Sequence, residues 1–335
     1  MNKALLATVV VLSLSGTVVA TPGTGEFDIA RFDTSAADLF EPFEVRELFL
    51  LRDVLEAGFI AEETWVMVSE TPAGQVALIT DQMAYHHVAQ GRIGGRDWMA
   101  SFCVVCNSGV TLTPTIDGRT LHFASAGLYD GVIVFRDTET GTLWNHITGE
   151  AMHGPLAGRR LAVANLLQMN VRQALAMEPL TRIAVSDVAY ATNGFRAADE
   201  QRVTLSSVFE SNLGEEDLRR PRMEMGLGIW SETSRRYYPI DTIRSEGGAL
   251  VDVFDGRRLL VYIDPVSSTP AALFVEADRA RRQDDQIHLD DGSTVRSGMV
   301  WTGSGASGAT ERPMQIFTRW YGFSLTFADP DVYGP

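Results

Sequence analysis

Residues 64–80 read TWVMVSETPAGQVALIT, which holds two short β-prone runs, TWVMVSE and GQVALIT. β-Branched and aromatic residues bounded by turn formers favour a pleated strand over a helix. The same texture continues outward in GVTLTPT (109–115), RTLHFAS (119–125) and GVIVFRD (131–137). Asp117-Gly118 is a strong two-residue hairpin signal and Thr140-Gly141 a weaker turn signal. The expectation is a mainly β fold with a few helices, a β-rich α+β class. Two segments depart from it. PFEVRELFLLRDVLEAGF (42–59) puts Val45, Leu48, Leu51 and Val54/Leu55 on one stripe, with Pro42 in the first turn and Gly58 at the end. That is a helical pattern, and Leu166 to Glu178, stopped by Pro179, is a second.

The pattern then comes back. Ser69-Glu70-Thr71 followed by GQVALITDQM resembles Ser231-Glu232-Thr233 followed by RRYYPIDTI. Gly95-Arg96 leads into DWMASF as Gly256-Arg257 leads into RLLVYI. An offset near 160 residues, held over several matches, predicts two related β-rich units from an internal duplication. The first spans 62–200 and the second 222–335, with 201–221 as a linker whose polar run Asn212–Pro221 marks the boundary. In this alignment Cys103 falls opposite Asp264 and Cys106 opposite Ser267, so the second unit keeps the frame and lacks the thiols.

The chain has 335 residues, of which 45% are hydrophobic and 21% charged, an ordinary globular balance. Its 28 Lys and Arg stand against 43 Asp and Glu, for a net charge of −15. Such a surface repels phosphate backbones, which argues against a nucleic-acid partner. Met1-Asn2-Lys3, an apolar run from Ala4 to Ala20, and small or β-branched Val18 and Ala20 before Thr21 form the layout of a cleaved signal peptide over residues 1–20. A lead-in and helix occupy 21–61. The mature chain is expected to be periplasmic or secreted, with no transmembrane span after signal removal.

Only two cysteines occur, in Cys103-Val104-Val105-Cys106. This excludes a multi-disulfide scaffold and a four-thiolate zinc or iron–sulfur site within the chain. In an oxidising compartment the pair can be a structural staple, a redox couple or half of a soft-metal site. Closing so short a loop removes only about 2 kcal/mol of unfolded-state entropy, so a staple is a minor use of it. A short ring is easily reduced, which suits redox exchange, but no helix opens at the pair to activate a thiol. Five of the six histidines (His86, His87, His122, His146 and His153) lie between positions 86 and 153, in the unit that holds the cysteines. Two thiolates with imidazole suit copper or zinc, and Met152 offers a thioether. Asn107 follows Cys106, so covalent c-type haem is excluded. Trp144 and Glu150 offer an aromatic wall and a carboxylate for a pocket. No nucleophile elbow and no His-Glu-x-x-His is present.

SFCVVCNSGVTL (101–112), LHFASAGLYDGVIVFRDTETGTLWNHITGEAMHGPLAGRRL (121–161) and RWYGFSLTFADPDVY (319–333) resemble the bacterial family known as domain of unknown function 3179, over most of residues 62–335. Members usually carry Cys-Pro-Leu-Cys, so Cys103 and Cys106 match while Val104-Val105 depart. The resemblance also implies a histidine shortly before the glycine pair, and His86 matches it. Cys103, Cys106 and His86 are therefore the candidate redox-active or metal-binding residues. The resemblance brings no activity with it, and no pattern specifies an enzyme reaction, a small-molecule ligand or a protein partner. The alternative is a non-enzymatic binding or structural module in which the pair is a minor structural disulfide.

Overall fold

The strand runs that opened the sequence form a hairpin, and alternation decides what each residue touches. Val66 and Val68 feed one core and Met67 another; on the facing strand Ala77 and Ile79 join the first, Val76 and Leu78 the second. Both faces of the sheet are thus covered, and apolar residues run on without polar alternates. The computed structural model of the chain describes residues 27–35, 37, 40–188, 204–303, 305–306 and 310–334. The expected signal segment, 1–20, lies outside the described residues.

In chain order the first half holds β1 (Phe43–Val45), β2 (Phe49–Leu50), α1 (Leu51–Glu56), β3 (Trp65–Thr71), β4 (Gly74–Ile79), α2 (Thr80–His86), β5 (Val88–Ile93), β6 (Arg96–Cys103) and β7 (Ser108–Thr113). There follow β8 (Thr115–Ile116), β9 (Arg119–Thr120), β10 (Phe123–Tyr129), β11 (Val132–Asp137), β12 (Leu143–Asn145), β13 (Ala151–His153), β14 (Ala162–Asn170), α3 (Val171–Met177) and β15 (Arg182–Ala184). After α4 (Ser207–Glu210) come β16 (Met225–Trp230), β17 (Arg235–Pro239), α5 (Ile240–Ser245), β18 (Ala249–Phe254), β19 (Arg257–Ile263) and β20 (Pro270–Phe274). Five short strands, β21 (Ala280–Gln283), β22 (Gln286–Leu289), β23 (Thr294–Arg296), β24 (Met299–Thr302) and β25 (Gly305–Ala306), precede β26 (Met314–Arg319), α6 (Trp320–Thr326) and β27 (Asp331–Val332).

A nine-stranded sheet runs in the order β1-β5-β6-β7-β14-β3-β4-β15-β2, and β10-β11-β12-β13 form a separate four-stranded sheet. The fold is mainly β with short helices, as the strand texture predicts. In the second half, β16-β17, α5 and β18-β19-β20 follow one another as β3-β4, α2 and β5-β6-β7 do in the first. β26 joins β16 as β14 joins β3, in both cases antiparallel.

The two expected helices are shorter than their sequence patterns. Within 42–58 only Leu51–Glu56 is α-helical. Phe43–Val45 instead pairs in parallel with β5, and Phe49–Leu50 pairs with β15. Within 166–178, Leu166–Asn170 ends β14, paired to β3 from Leu166↔Ser69 to Asn170↔Trp65, and α3 begins only at Val171. Open sheet edges took these backbone groups, which a local helical period does not foresee. Asn170 ends the strand and caps the helix, its Oδ1 accepting from Gln173 N at 2.9 Å.

One core cluster joins Cys103, Cys106 and residues of β7, β10 and β11 to Tyr237, Ile316, Trp320, Tyr321 and Phe323. The run 212–217 is packed as well: Gly131 N donates to Asn212 Oδ1 at 2.7 Å, and Trp320 Nε1 to Asp217 O at 2.7 Å. Helix α6 sits against β16 because Gly228 has no side chain; a Cβ there would meet Phe323 Cδ2 and Cε2 at 2.3 Å. Gly228→Ala is expected to cost about 1–3 kcal/mol through overpacking. Thermal unfolding checks this, with Gly228→Ala/Phe323→Leu recovering part of the loss.

Candidate metal centre

The β6–β7 hairpin carries the cysteines. Its register closes at Cys103↔Ser108, and Asn107, in the left-handed region at φ 56°, turns the chain. Asn tolerates that conformation better than most residues. Cys103 and Cys106 are both free thiols, 2% and 0% exposed. The third member arrives from the next sheet. Asn145 Oδ1 accepts from Ile147 N at 2.8 Å and Thr148 N at 3.0 Å, a local turn that presents His146 inward. Ligand atoms of Cys103, Cys106 and His146 all lie within 4.8 Å of one another, and all three residues are buried.

Ser108 Oγ stands between two of them, 2.7 Å from Cys106 Sγ and 3.2 Å from His146 Nε2. On the ring's other side Nδ1 is 3.4 Å from Ser101 Oγ, which donates to His146 O at 3.1 Å. Phe135 packs edge-on to the imidazole, with centroids 5.9 Å apart. Burial, with His87 nearby, pushes the His146 pKa down to about 3, so the ring is neutral with a lone pair to offer.

The sulfurs differ. Burial raises the Cys103 thiol, but hydrogen bonds from the Cys106 thiol and from the amides of Cys106, Ile133 and Val105 outweigh it and bring Cys103 below the ordinary thiol value. Cys106 moves the other way, because burial and its bond to Cys103 both hold its proton.

The lid of the site comes from the C-terminal end. Thr318 Oγ1 donates to Cys106 O at 2.7 Å, Arg319 N to the same oxygen at 3.0 Å, and Arg319 Nε to Val105 O at 3.0 Å. Gly322 lets α6 close on the hairpin, since a Cβ there would lie 3.0 Å from Cys106 Cβ. Tyr321, whose hydroxyl donates to Gly131 O at 3.2 Å, is buried beside both sulfurs.

The structure brings Cys103 and Cys106 together with His146 and not with His86, the histidine the sequence pointed to. His86 lies at the end of α2, and its two ring nitrogens are each 2.8 Å from an oxygen, Nδ1 from Glu41 O and Nε2 from Ser186 Oγ. Trp144 is core, its Nε1 donating to Asp137 Oδ2 at 2.8 Å, whereas Glu150 lines a cavity of about 990 Å³.

The hairpin of the second half has the same form without sulfur. Asp264 N donates to Thr269 O at 2.8 Å, Ser268 has φ 62°, and Ser267 Oγ lies 2.6 Å from Thr269 Oγ1. Asp264 Oδ1 accepts from Val266 N at 2.9 Å and Ser267 N at 3.1 Å, the amide positions that serve Cys103 in the first half. Asn170 Nδ2 donates to Val266 O at 3.2 Å, as Arg319 donates to Val105 O.

His87, next to His86, is buried with φ 60°, its ring 4.1 Å from that of Phe40. Burial lowers its pKa from 6.5 to about 4, so the unfolded chain takes up a proton that the folded one refuses. Its contribution is complete above about pH 6.5 and is lost as pH falls toward about 4. By pH 5 the loss is on the order of 2 kcal/mol. Chemical denaturation of metal-free protein at pH 7.5 and pH 5 checks this. His146, also held neutral by burial, adds a similar loss, and His87→Asn should remove only the His87 share of the dependence.

The fold and site define a β-rich protein with a buried two-thiol, one-imidazole donor set. The chain belongs to the family described as protein of unknown function (DUF3179), whose model matches residues 52–328. No curated protein and no solved structure matches it.

Proposed function

We propose that the protein is exported and that Cys103, Cys106 and His146 hold a soft metal ion, copper(I) or zinc. The observation that carries this is the convergence of three ligand atoms within 4.8 Å in a buried pocket, with the imidazole neutral. Thiolate and imidazole are the donors both ions prefer. Copper(I) is satisfied by three such ligands. A divalent zinc ion balances two thiolates and takes a fourth ligand, and Ser108 Oγ lies beside two of the three donors. A redox reading has its own support in the hydrogen bonds that favour a Cys103 thiolate. Exposures of 2% and 0% work against it, because an incoming sulfur must reach one of these atoms to exchange. Export rests on residues 1–20, and the matching hairpins at 103–108 and 264–269 support an internal duplication in which only one copy kept thiols.

The test is metal content by mass spectrometry, on protein purified from the exported fraction and after anaerobic reconstitution. One copper or zinc per chain is expected. His86→Gln is expected to retain it, while His146→Ala weakens binding at least tenfold; retention by His146→Ala with loss by His86→Gln would overturn the donor set. A chain that takes up no metal, and whose pair equilibrates with a glutathione buffer, would turn the reading to redox exchange. A disulfide inert to small thiols, with no metal, would leave only a structural staple.

A further inference from the structure

The cavity of about 990 Å³ lies between β11 and α6, and each proposed ligand has a neighbour in its wall. Ile133, whose amide serves Cys103, lines it. So does Asn145, the residue before His146. Ser324, Leu325 and Thr326 also line it, one helical turn beyond the Tyr321 and Gly322 that abut Cys106. The cavity therefore backs onto the centre from three elements at once. A buried metal site needs an entry path, and no ligand is more than 2% exposed.

The wall is chemically biased. Among the described residues, Asp130, Glu150, Glu215, Glu216, Asp217 and Asp329 line it, against one lining cation, Arg31. Several are paired: Asp130 with Arg31, Glu150 with Arg160, Glu216 with Arg222, and Asp217 and Asp329 with Arg219. These six carboxylates share four arginines, one of which, Arg222, also pairs with Glu210, within a chain of net charge −15. Met152 puts a thioether, a soft donor, in the same wall. A concave surface of one sign concentrates ions of the other and raises their arrival rate.

We propose that this cavity is the vestibule through which thiophilic cations reach the centre, entering past Ile133, which lines the cavity and whose amide serves Cys103. This rests on the metal reading above and adds to it a route and a charge requirement. As the ion is bound, each thiol that becomes a ligand gives its proton to solvent, and no electron is transferred.

The test is stopped-flow loading of reduced apoprotein with Zn²⁺ alone, and in parallel with copper(I) supplied as its acetonitrile complex. Wild type should load more slowly as ionic strength rises. Glu215→Lys/Asp329→Lys should load about tenfold more slowly. Release should slow with it, and the final stoichiometry of one should remain, because a vestibule changes the path and not the end state. Glu232→Lys/Asp284→Lys makes the same change in net charge at exposed positions outside the lining, and should load like wild type. Equal slowing in both double variants, or in neither, would overturn the route while leaving the centre intact. A protein that binds no metal would refute the centre, and the route with it.

Discussion

Cys106→Ser is expected to abolish stoichiometric metal binding while leaving the protein folded. The exchange is nearly isosteric, and the serine hydroxyl can still meet Ser108 Oγ, which lies 2.7 Å from the sulfur in wild type. The donor is what changes, since an alkoxide is not available at neutral pH and a neutral hydroxyl is a poor ligand for a soft ion. Affinity should fall by at least a hundredfold. The unfolding midpoint of the metal-free protein should shift little, because Cys106 is a small buried group whose volume is retained. Cys103→Ser should lose metal as well and should cost more stability, since three amides now converge on a sulfur that favours the ionised form. Chelator competition and thermal unfolding of the two apoproteins check both statements. Wild-type affinity in either single variant would contradict the donor set.

The second large effect is expected at Arg319, more than 200 positions from the pair it supports. Its side chain is wholly buried; Nε donates to Val105 O at 3.0 Å and Nη1 to Met223 O at 2.8 Å. Arg319→Ala leaves those carbonyls without these partners, and a cavity besides. A buried acceptor that loses its partner and the lost packing together are worth on the order of 3 kcal/mol. Arg319→Met restores most of the volume but neither hydrogen bond, so it should recover only part of the loss. The difference between the two variants measures packing alone. Both should also weaken metal binding, because the Val104–Cys106 turn loses one of the groups that pin it, the Arg319 side chain. Denaturant unfolding followed by metal titration reads the two effects separately. A fully stable Arg319→Ala that binds metal normally would show that the C-terminal segment is not part of the site.

These effects explain which features were legible in the sequence. Hairpin chemistry was legible, because the Asp117-Gly118 turn and the β-prone runs around Val66 and Ala77 act over a few residues. The cysteine pair was legible for the same reason. The helical stripes at 42–58 and 166–178 misled, since Phe43–Val45 and Leu166–Asn170 were claimed by strands distant in the chain. His146 belonged to the histidine cluster but carried no spacing signal that would separate it from His86; its turn, set by Asn145, is what aims it at the sulfurs. Arg319 and Tyr321 gave no local signal at all, as their roles arise only when α6 folds over the hairpin. The alignment of Cys103 with Asp264 was informative in another way. Both hairpins direct two amides at the side chain of their first residue, and a hydrogen-bond acceptor suits that position in each.

X-ray absorption at the metal edge of the reconstituted protein tests the central claim most directly. For zinc it should show two sulfur neighbours at about 2.3 Å and at least one imidazole nitrogen at about 2.0–2.1 Å, with the nitrogen lost in His146→Ala. For copper(I) it should show the same two sulfurs and one nitrogen in a three-coordinate shell. A first shell of oxygen and nitrogen without sulfur, or an imidazole signal that persists in His146→Ala and vanishes in His86→Gln, would contradict the account.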